Sequence, residues 1–272
     1  MPIDEFRADN RANWDDRVAG HIDGYRVDRY AADPTHLSDV VEFDRDRLGD
    51  LAGLKVLHLQ CHIGTDTITL ARLGAEVTGI DLAPKAIAAA QDLFARTNTP
   101  GRFLVSELYD APGVLDEQFD MVYTGVGALN WLPDIDGWAG VVDHFTKPGG
   151  RLFITEGHPM AWTLDQDRDD RLLVVGFPYF EGRMQTWNED TSYLGDAKLT
   201  ATTAHEWNHG LGEILTALRD RDFTIKTFVE HDVQPWKSHH WMEEFRDGWF
   251  RFPEELRDLT PLMYTLVAEK TN

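Results

Sequence analysis

Three observations predict an α/β fold built on a parallel sheet. The apolar runs are short and bounded by Gly, Pro and Asp, the segments between them have helical periodicity, and the two kinds alternate between residues 55 and 155. Residues 55–60 (KVLHLQ) read as a strand, 65–73 as a helix and 76–81 (EVTGID) as a second strand. A helix follows over 84–96, opened by Pro84 in its first turn. Strands at 102–106, 119–124 and 151–155 complete five parallel strands, and a helix over 134–145 stops before a KPGG turn at 147–150. Further on, a helix over 210–220 and strands over 223–230 and 262–270 close the chain, and the MEEFRDGWF stretch between those strands reads as helix. Residues 1–50 carry helical pieces around 10–18 and 37–48 and no strand signal, so they read as a cap. Residues 160–208 are rich in aromatics and β-formers (VVGFPYF, MQTW, TATTAHEW), the composition of inserted antiparallel strands. Without repeats or a low-complexity linker, residues 1–272 read as a single domain. Its parts are the cap at 1–50, a ligand-binding core at 54–157, the insertion at 160–208 and the C-terminal part of the sheet at 209–272.

A chain of 272 residues buries roughly 70 to 75% of its unfolded surface and needs no disulfide staple. Cys61 is the only cysteine, so there is no pair to oxidise. The formal charge of −21 repels phosphate backbones and anionic membrane surfaces, which argues against nucleic-acid and membrane partners. The first residues lack a basic start and an apolar run, and no stretch approaches the ~18 apolar residues of a membrane span. The expectation is a cytoplasmic protein.

In an open α/β sheet the ligand lies beyond the carboxyl ends of the strands, and the turn after the first strand is its floor. That turn, residues 59–66, reads LQCHIGTD and keeps only Gly64 of a glycine-rich loop. The second strand ends in Asp81, 17 residues beyond Gly64, near the spacing at which an acid accepts hydrogen bonds from ribose hydroxyls. A strand-end Asp also caps helices, but the two features together favour the ribose role. An adenosine-containing ligand follows, with NAD and S-adenosylmethionine not yet separated.

The stretches VLHLQCHIGTDTITLARLGAEVTGIDLAPKAI, FDMVYTGVGALNWLPDIDGWAGVV and KPGGRLFITEGHP resemble the class I S-adenosylmethionine-dependent methyltransferases. The likeness is greatest to a bacterial small-molecule branch with the HLQCHIGTDT form of the first motif. It continues through PYFEG, EWNHGLGEILTAL and PLMYTLVAEK. The resemblance implies a Rossmann-like sheet of seven strands in the order 3-2-1-4-5-7-6, with the last strand antiparallel. It also implies S-adenosylmethionine as methyl donor, with S-adenosylhomocysteine as product, and a small-molecule methyl acceptor. Carried over by residue, it places Gln60, Cys61, His62 and Gly64 around the methionine part of the cofactor. Asp81 falls on the ribose, Leu82 beside the adenine, Glu107 and Leu108 at the adenine ring and its amino group, and Thr124 and Gly125 at the methionyl amino group. His58 stands where most of the family has an acid, and Gln60 and His62 replace glycines.

Methyl transfer from a sulfonium is an in-line displacement, so the protein chiefly supplies proximity, orientation and exclusion of water. An acceptor that must lose a proton calls for a base, and histidine is the usual one. Of eleven histidines, His158 follows the fifth strand in EGHP, next to Glu156. His205, Trp207 and His209 share one face if the strand there continues. The candidates for base or substrate anchor are His158 and His209. Trp14, Arg17 and Tyr25 in the cap, Trp131 after the fourth strand, and Trp207 are the candidates for lining the acceptor site. A metal site is the poorer reading, with one cysteine, no HExxH and no third ligand at recognisable spacing. Two other classes compete with the enzyme. One is a non-catalytic sensor or scaffold that binds S-adenosylmethionine; the other, more distant, is an NAD(P)-dependent oxidoreductase, which would want a G-x-G-x-x-G turn. The acceptor, the atom methylated, the use of a base and the oligomeric state stay open.

Overall fold

The computed structural model describes residues 3–194 and 197–271. The chain opens with α1 (Ile3–Gly24), α2 (Asp28–Ala32), α3 (Asp39–Phe43) and α4 (Arg45–Leu48). It then alternates through β1 (Lys55–Leu59), α5 (Thr65–Arg72), β2 (Glu76–Asp81), α6 (Pro84–Arg96), β3 (Arg102–Val105), β4 (Phe119–Thr124), α7 (Ile135–Phe145) and β5 (Thr146–Gly157). After β6 (Gln185–Asn188) and β7 (Thr203–Glu206) come α8 (Leu211–Arg219), β8 (Phe223–His231), β9 (Val233–Gln234), β10 (Glu243–Arg246), β11 (Trp249–Arg251) and β12 (Met263–Lys270).

The main sheet runs β3-β2-β1-β4-β5-β12-β8. Its first five strands are parallel, and β12 is antiparallel to both β5 and β8. In order of appearance this is 3-2-1-4-5-7-6 with the last strand reversed. Side chains alternate across the pleat, so β1 sends Leu57 and Leu59 to one face and Val56 to the other. Leu57, Leu59, Val122, Leu152 and Ile154 pack with Trp138 and Val142 of α7 and Ile214 and Leu218 of α8. Val56, Val77, Met121 and Phe153 pack with Ile68 of α5, Ile87 and Leu93 of α6, and the N-terminal helices. Both faces are covered, which is why the strands read as continuous apolar runs.

α1 is held differently. Its inward stripe, Phe6, Asn10, Asn13, Arg17 and His21, is mostly polar and fully buried. Asn10 binds the β7 backbone twice, donating to the His205 carbonyl at 2.9 Å and accepting from the His205 amide at 2.7 Å. Asn13 donates to the Ala201 carbonyl at 2.7 Å, and Asp16 accepts from the amide of Ala201 at 3.0 Å. Satisfied buried amides of this kind fix one arrangement of helix against strand.

Four expectations are corrected. The MEEFRDGWF stretch is not helical: it forms the β10–β11 hairpin, which adds β9 to make a small sheet. The turn residue Gly248 takes φ +72, and Asp-Gly is a strong hairpin signal. Among the described residues, 160–208 contribute the antiparallel β6–β7 hairpin, as MQTW and TATTAHEW predict, and two isolated bridges, but VVGFPYF is not a strand. The KPGG residues lie within β5, as an irregularity between the Phe119↔Thr146 and Met121↔Arg151 pairings. Finally, β7 stops at Glu206, so Trp207 and His209 do not share a strand face with His205.

Candidate active site

The turn from β1 into α5 is built from backbone geometry. Gln60 and His62 take φ +56 and +49, the left-handed region where glycine is usual. The loop shape thus survives the replacement of both glycines, at a conformational cost of roughly 1 to 2 kcal/mol per residue. Gly64 takes φ +81, and a Cβ there would lie 2.9 Å from Ala90 Cβ, so only glycine fits. Cys61 is buried below the turn, its amide donating to the Ile80 carbonyl at 2.9 Å. Beneath the turn His58 hydrogen-bonds the Thr67 hydroxyl at 2.8 Å, and burial lowers its pKa to about 3, so it is neutral.

Asp81 ends β2 and is buried. Its carboxylate accepts from the His62 amide at 2.8 Å and the Ala83 amide at 2.9 Å, and burial raises its pKa to about 6. Leu82 beside it is half-buried. At the end of β3, Glu107 accepts from the Tyr109 amide at 2.7 Å and pairs with Arg7 of α1 at 3.3 Å, while Leu108 is buried. At the end of β4, Thr124 is fully buried, and Gly125 leads into a loop held by one carboxylate. Glu156, at the end of β5, accepts from the amides of Gly127 (2.5 Å), Ala128 (2.8 Å), Leu129 (2.9 Å) and Gly157 (2.6 Å). The Ala128 carbonyl in turn accepts from Gln60 Nε2 at 2.9 Å, which ties the two loops together.

α1 closes over these loops. Trp14 lies edge-on to Trp131 at 5.0 Å and to His62 at 5.1 Å, and the Arg17 guanidinium sits 5.5 Å from the Trp14 ring and 5.9 Å from the Trp131 ring. Arg17 is buried and donates through Nε to Asn13 at 2.7 Å, with no carboxylate within 4 Å among the described residues. His21 is hydrogen-bonded to His62 at 3.2 Å and to Ser192 at 2.7 Å, and burial lowers its pKa to about 4. Tyr25 lies 5.6 Å from the His21 ring, and its hydroxyl meets that of Tyr193 at 2.5 Å. Trp14, Arg17, His21 and Tyr25 follow one another at helical spacing, and that stripe was the sequence signal by which His21 was open to detection.

The remaining candidates lie apart from this group. Trp207 packs edge-on to Phe6 at 5.0 Å, and its amide donates to the Asn130 carbonyl at 2.8 Å. His158 is buried, with Nε2 on Glu230 at 2.9 Å and Nδ1 accepting from the Met160 amide at 3.0 Å. Both its ring nitrogens are engaged. His209 donates through Nε2 to the Leu132 carbonyl at 2.7 Å, and burial lowers its pKa to about 4. Its Nδ1 is buried without a hydrogen-bond partner and faces Glu181 at 3.6 Å and Glu213 at 3.5 Å. A metal site, the poorer reading of the sequence, therefore has three candidate ligands in the fold; only His209 and Glu213 were within local reach of each other, at i,i+4.

The donor set fits S-adenosylmethionine. Gln60 Oε1 and Thr124 Oγ1 are buried and unpartnered at the ends of β1 and β4, as a bound ammonium group requires. Asp81 offers a buried carboxylate to hydroxyl donors, and Arg17 a buried guanidinium to a carboxylate.

The sheet order and this strand-end site are those of nucleotide-type cofactor folds, and the comparisons narrow the class. A family profile described as a methyltransferase domain matches residues 57–152. The ubiquinone biosynthesis O-methyltransferase of Xanthomonas oryzae pv. oryzae is 31% identical over 240 residues, covering 87% of this chain and 85% of that protein. The chain belongs to the class I S-adenosylmethionine-dependent methyltransferases. Among solved structures, an S-adenosylmethionine-dependent methyltransferase described as putative, from Listeria monocytogenes, shares the fold with a TM-score of 0.63 at 19% identity, over 86% of this chain and 97% of that one. One from Mesorhizobium loti gives 0.57 at 20% identity, over 84% and 96%. Among the described residues no helix is long and apolar enough to cross a membrane.

Proposed function

We propose that this methyltransferase acts on a small molecule, at oxygen or nitrogen, bound between α1 and the 160–208 segment. The observation that carries the reading is an open cavity of about 450 Å³ lined by Phe6, Pro133, Glu181, Gly182, Met184 and Trp207. Sites of roughly 300 to 1,000 Å³ suit small ligands, and α1 and the insertion both contribute to the lining. The O-methyltransferase relative supports oxygen as the first acceptor atom to try.

S-adenosylmethionine, when bound, supplies an electrophilic methyl group on sulfur. In this reading Asp81 accepts from the ribose hydroxyls, Leu82, Glu107 and Leu108 flank the adenine, and Arg17 takes the methionyl carboxylate. Gln60, Thr124 and Gly125 receive the ammonium group, while Cys61, His62 and Gly64 shape the floor. Trp14, Tyr25 and Trp131 exclude water from the reacting atoms, which strengthens every polar contact inside. Trp207 lines the acceptor cavity, and His209 stands behind Glu181, 3.6 Å from it. His158, held by Glu230 and the Met160 amide, is a positioning residue for the strand end.

The test is calorimetric titration with S-adenosylmethionine, S-adenosylhomocysteine and NADH, followed by transfer of labelled methyl to a panel of phenols, hydroxy acids and amines. Micromolar binding of both sulfur ligands, no NADH binding and labelling of at least one small acceptor are expected. Cofactor binding with no acceptor labelled overturns the reading in favour of a sensor or scaffold, and NADH binding alone overturns it in favour of an oxidoreductase.

A further inference from the structure

His209 lies just before α8, whose first turn carries Glu213. The facing segment, 178–182, is locked against it. Asn208 donates to the carbonyls of Pro159 and Pro178, both at 2.9 Å, and the Tyr179 hydroxyl accepts from the Leu211 amide at 3.2 Å. The Tyr179 ring leaves no room for a side chain at position 210, where a Cβ would sit 2.8 Å from it. The PYFEG and EWNHGLGE stretches, distant in sequence, are thus fixed together, and Glu181 is brought to His209.

At that junction three electron-pair donors converge. The His209 side chain is 2% exposed, and its proton is committed to the Leu132 carbonyl through Nε2. The unpartnered Nδ1 lone pair therefore points at Glu181 Oε1, 3.6 Å away, and Glu213 Oε2, 3.5 Å away. A second-sphere carbonyl fixing the far nitrogen is how metal-ligating histidines are held. Atoms bound about 2.0 to 2.2 Å from a tetrahedral ion lie about 3.3 to 3.6 Å from one another, the spacing of His209 Nδ1 to each carboxylate here, and all three ligand atoms lie within 4.8 Å of one another. The amino end of α8 opposes a cation with about half a positive charge, but two carboxylates outweigh it.

We propose that Glu181, His209 and Glu213 form a site for one divalent transition cation of the zinc class, at the wall of the 450 Å³ cavity. The imidazole favours such ions over magnesium and calcium, which take all-oxygen shells. Glu181 is exposed and lines the cavity, so the ion has a path in and its remaining coordination position can take an ionised oxygen. Assigning that position to a phenolate or hydroxy-acid acceptor rests on the proposed function; the ion itself does not.

Full-length protein stripped with a chelator is titrated with Co²⁺ and followed by its visible absorption. One ion per chain with the intense bands of tetrahedral cobalt is expected, displaced by Zn²⁺ and unaffected by tenfold more Mg²⁺. Glu181→Gln, which keeps the side chain's shape and an acceptor oxygen for the Ile135 amide, should weaken Co²⁺ at least threefold, and His209→Gln should abolish the bands. Absence of tetrahedral bands in the wild type, or a loss below threefold in Glu181→Gln, overturns the site. The readout needs neither cofactor nor acceptor, so its failure is distinct from failure of the methyl-transfer reading.

Discussion

The turn at residues 60–66 and the junction between residues 178–182 and 206–213 both present buried polar groups, yet they are assembled by opposite means. In the turn, the main chain makes the shape. Gln60, His62 and Gly64 adopt positive φ within five residues, and the one carboxylate involved, Asp81, comes from the adjacent strand. In the junction, side chains from segments some thirty residues apart make the shape, through Asn208 and Tyr179. A surface made by local backbone tolerates side-chain replacement, as Gln60 and His62 in place of glycine demonstrate. A surface made by tertiary hydrogen bonds depends on each of its side chains.

The sharpest way to break this contrast is Glu156→Gln, because Glu156 is a single side chain on which a cofactor-side loop depends. The neutral amide turns an NH₂ toward backbone N–H groups that now find a carboxylate, leaving at least one buried donor unpaired. We expect a loss of about 2 to 4 kcal/mol in denaturant-unfolding stability, together with weaker cofactor binding. A loss under 1 kcal/mol would show that the 125–131 loop holds its own shape.

Next in size is Asp81→Ala, which should weaken S-adenosylmethionine by about 1.5 to 3 kcal/mol, or about 10- to 150-fold in Kd, by calorimetry. The same carboxyl sets the pH dependence. Its pKa in the free protein is raised to about 6, and the cofactor's hydroxyl donors bind the ionised form. Affinity is therefore level above about pH 7 and falls as pH drops through 6, by up to tenfold per unit. Asp81→Asn should bind weakly and lose most of that dependence, the remainder belonging to Asp66 and Glu206, which burial raises to about 6 and about 7. His21, at about 4, is already neutral there and contributes nothing to the slope.

The smallest effect is expected for Gln60→Gly. Relief of the left-handed backbone, roughly 1 kcal/mol, offsets the lost bond to the Ala128 carbonyl and the added chain entropy. Stability should change by less than about 1 kcal/mol, while S-adenosylmethionine binds weaker by about 0.5 to 1.5 kcal/mol for want of the Gln60 Oε1 acceptor. A large loss would mean that the Gln60 side chain, rather than the backbone, makes the turn.

The same division explains what the sequence made legible. β2, α6 and β4 fall at their expected limits, and β1, α5, β3, α7, α8, β8 and β12 within a residue or so, because each is a local apolar pattern with its own stop signal. The 242–250 stretch misled because Met242, Phe245 and Trp249 recur at helical spacing, while the Asp247-Gly248 turn decides the outcome. Trp207 and His209 misled because alternation was extended past the end of β7. The end of β2 at Asp81 and the turn after β1 were readable from the strand pattern, while the roles of their residues rested on the family resemblance. The four-amide grip of Glu156, the His21–His62 contact and the arrival of Glu181 beside His209 were not, since each joins residues whose nearness only the tertiary fold creates.

The position of β12 bears on how the protein reaches this state. β12 lies between β5 and β8 although it is made after both, with seven register pairs to β5 and eight to β8. Until it arrives, the nine residues of β8 have no neighbour in the main sheet. Contacts of such long sequence separation delay the rate-limiting step of folding and leave an unpaired strand edge exposed meanwhile. The β1–β5 half can therefore collapse first, through neighbouring β–α units, while completion of the sheet waits for β12 to seat between β5 and β8.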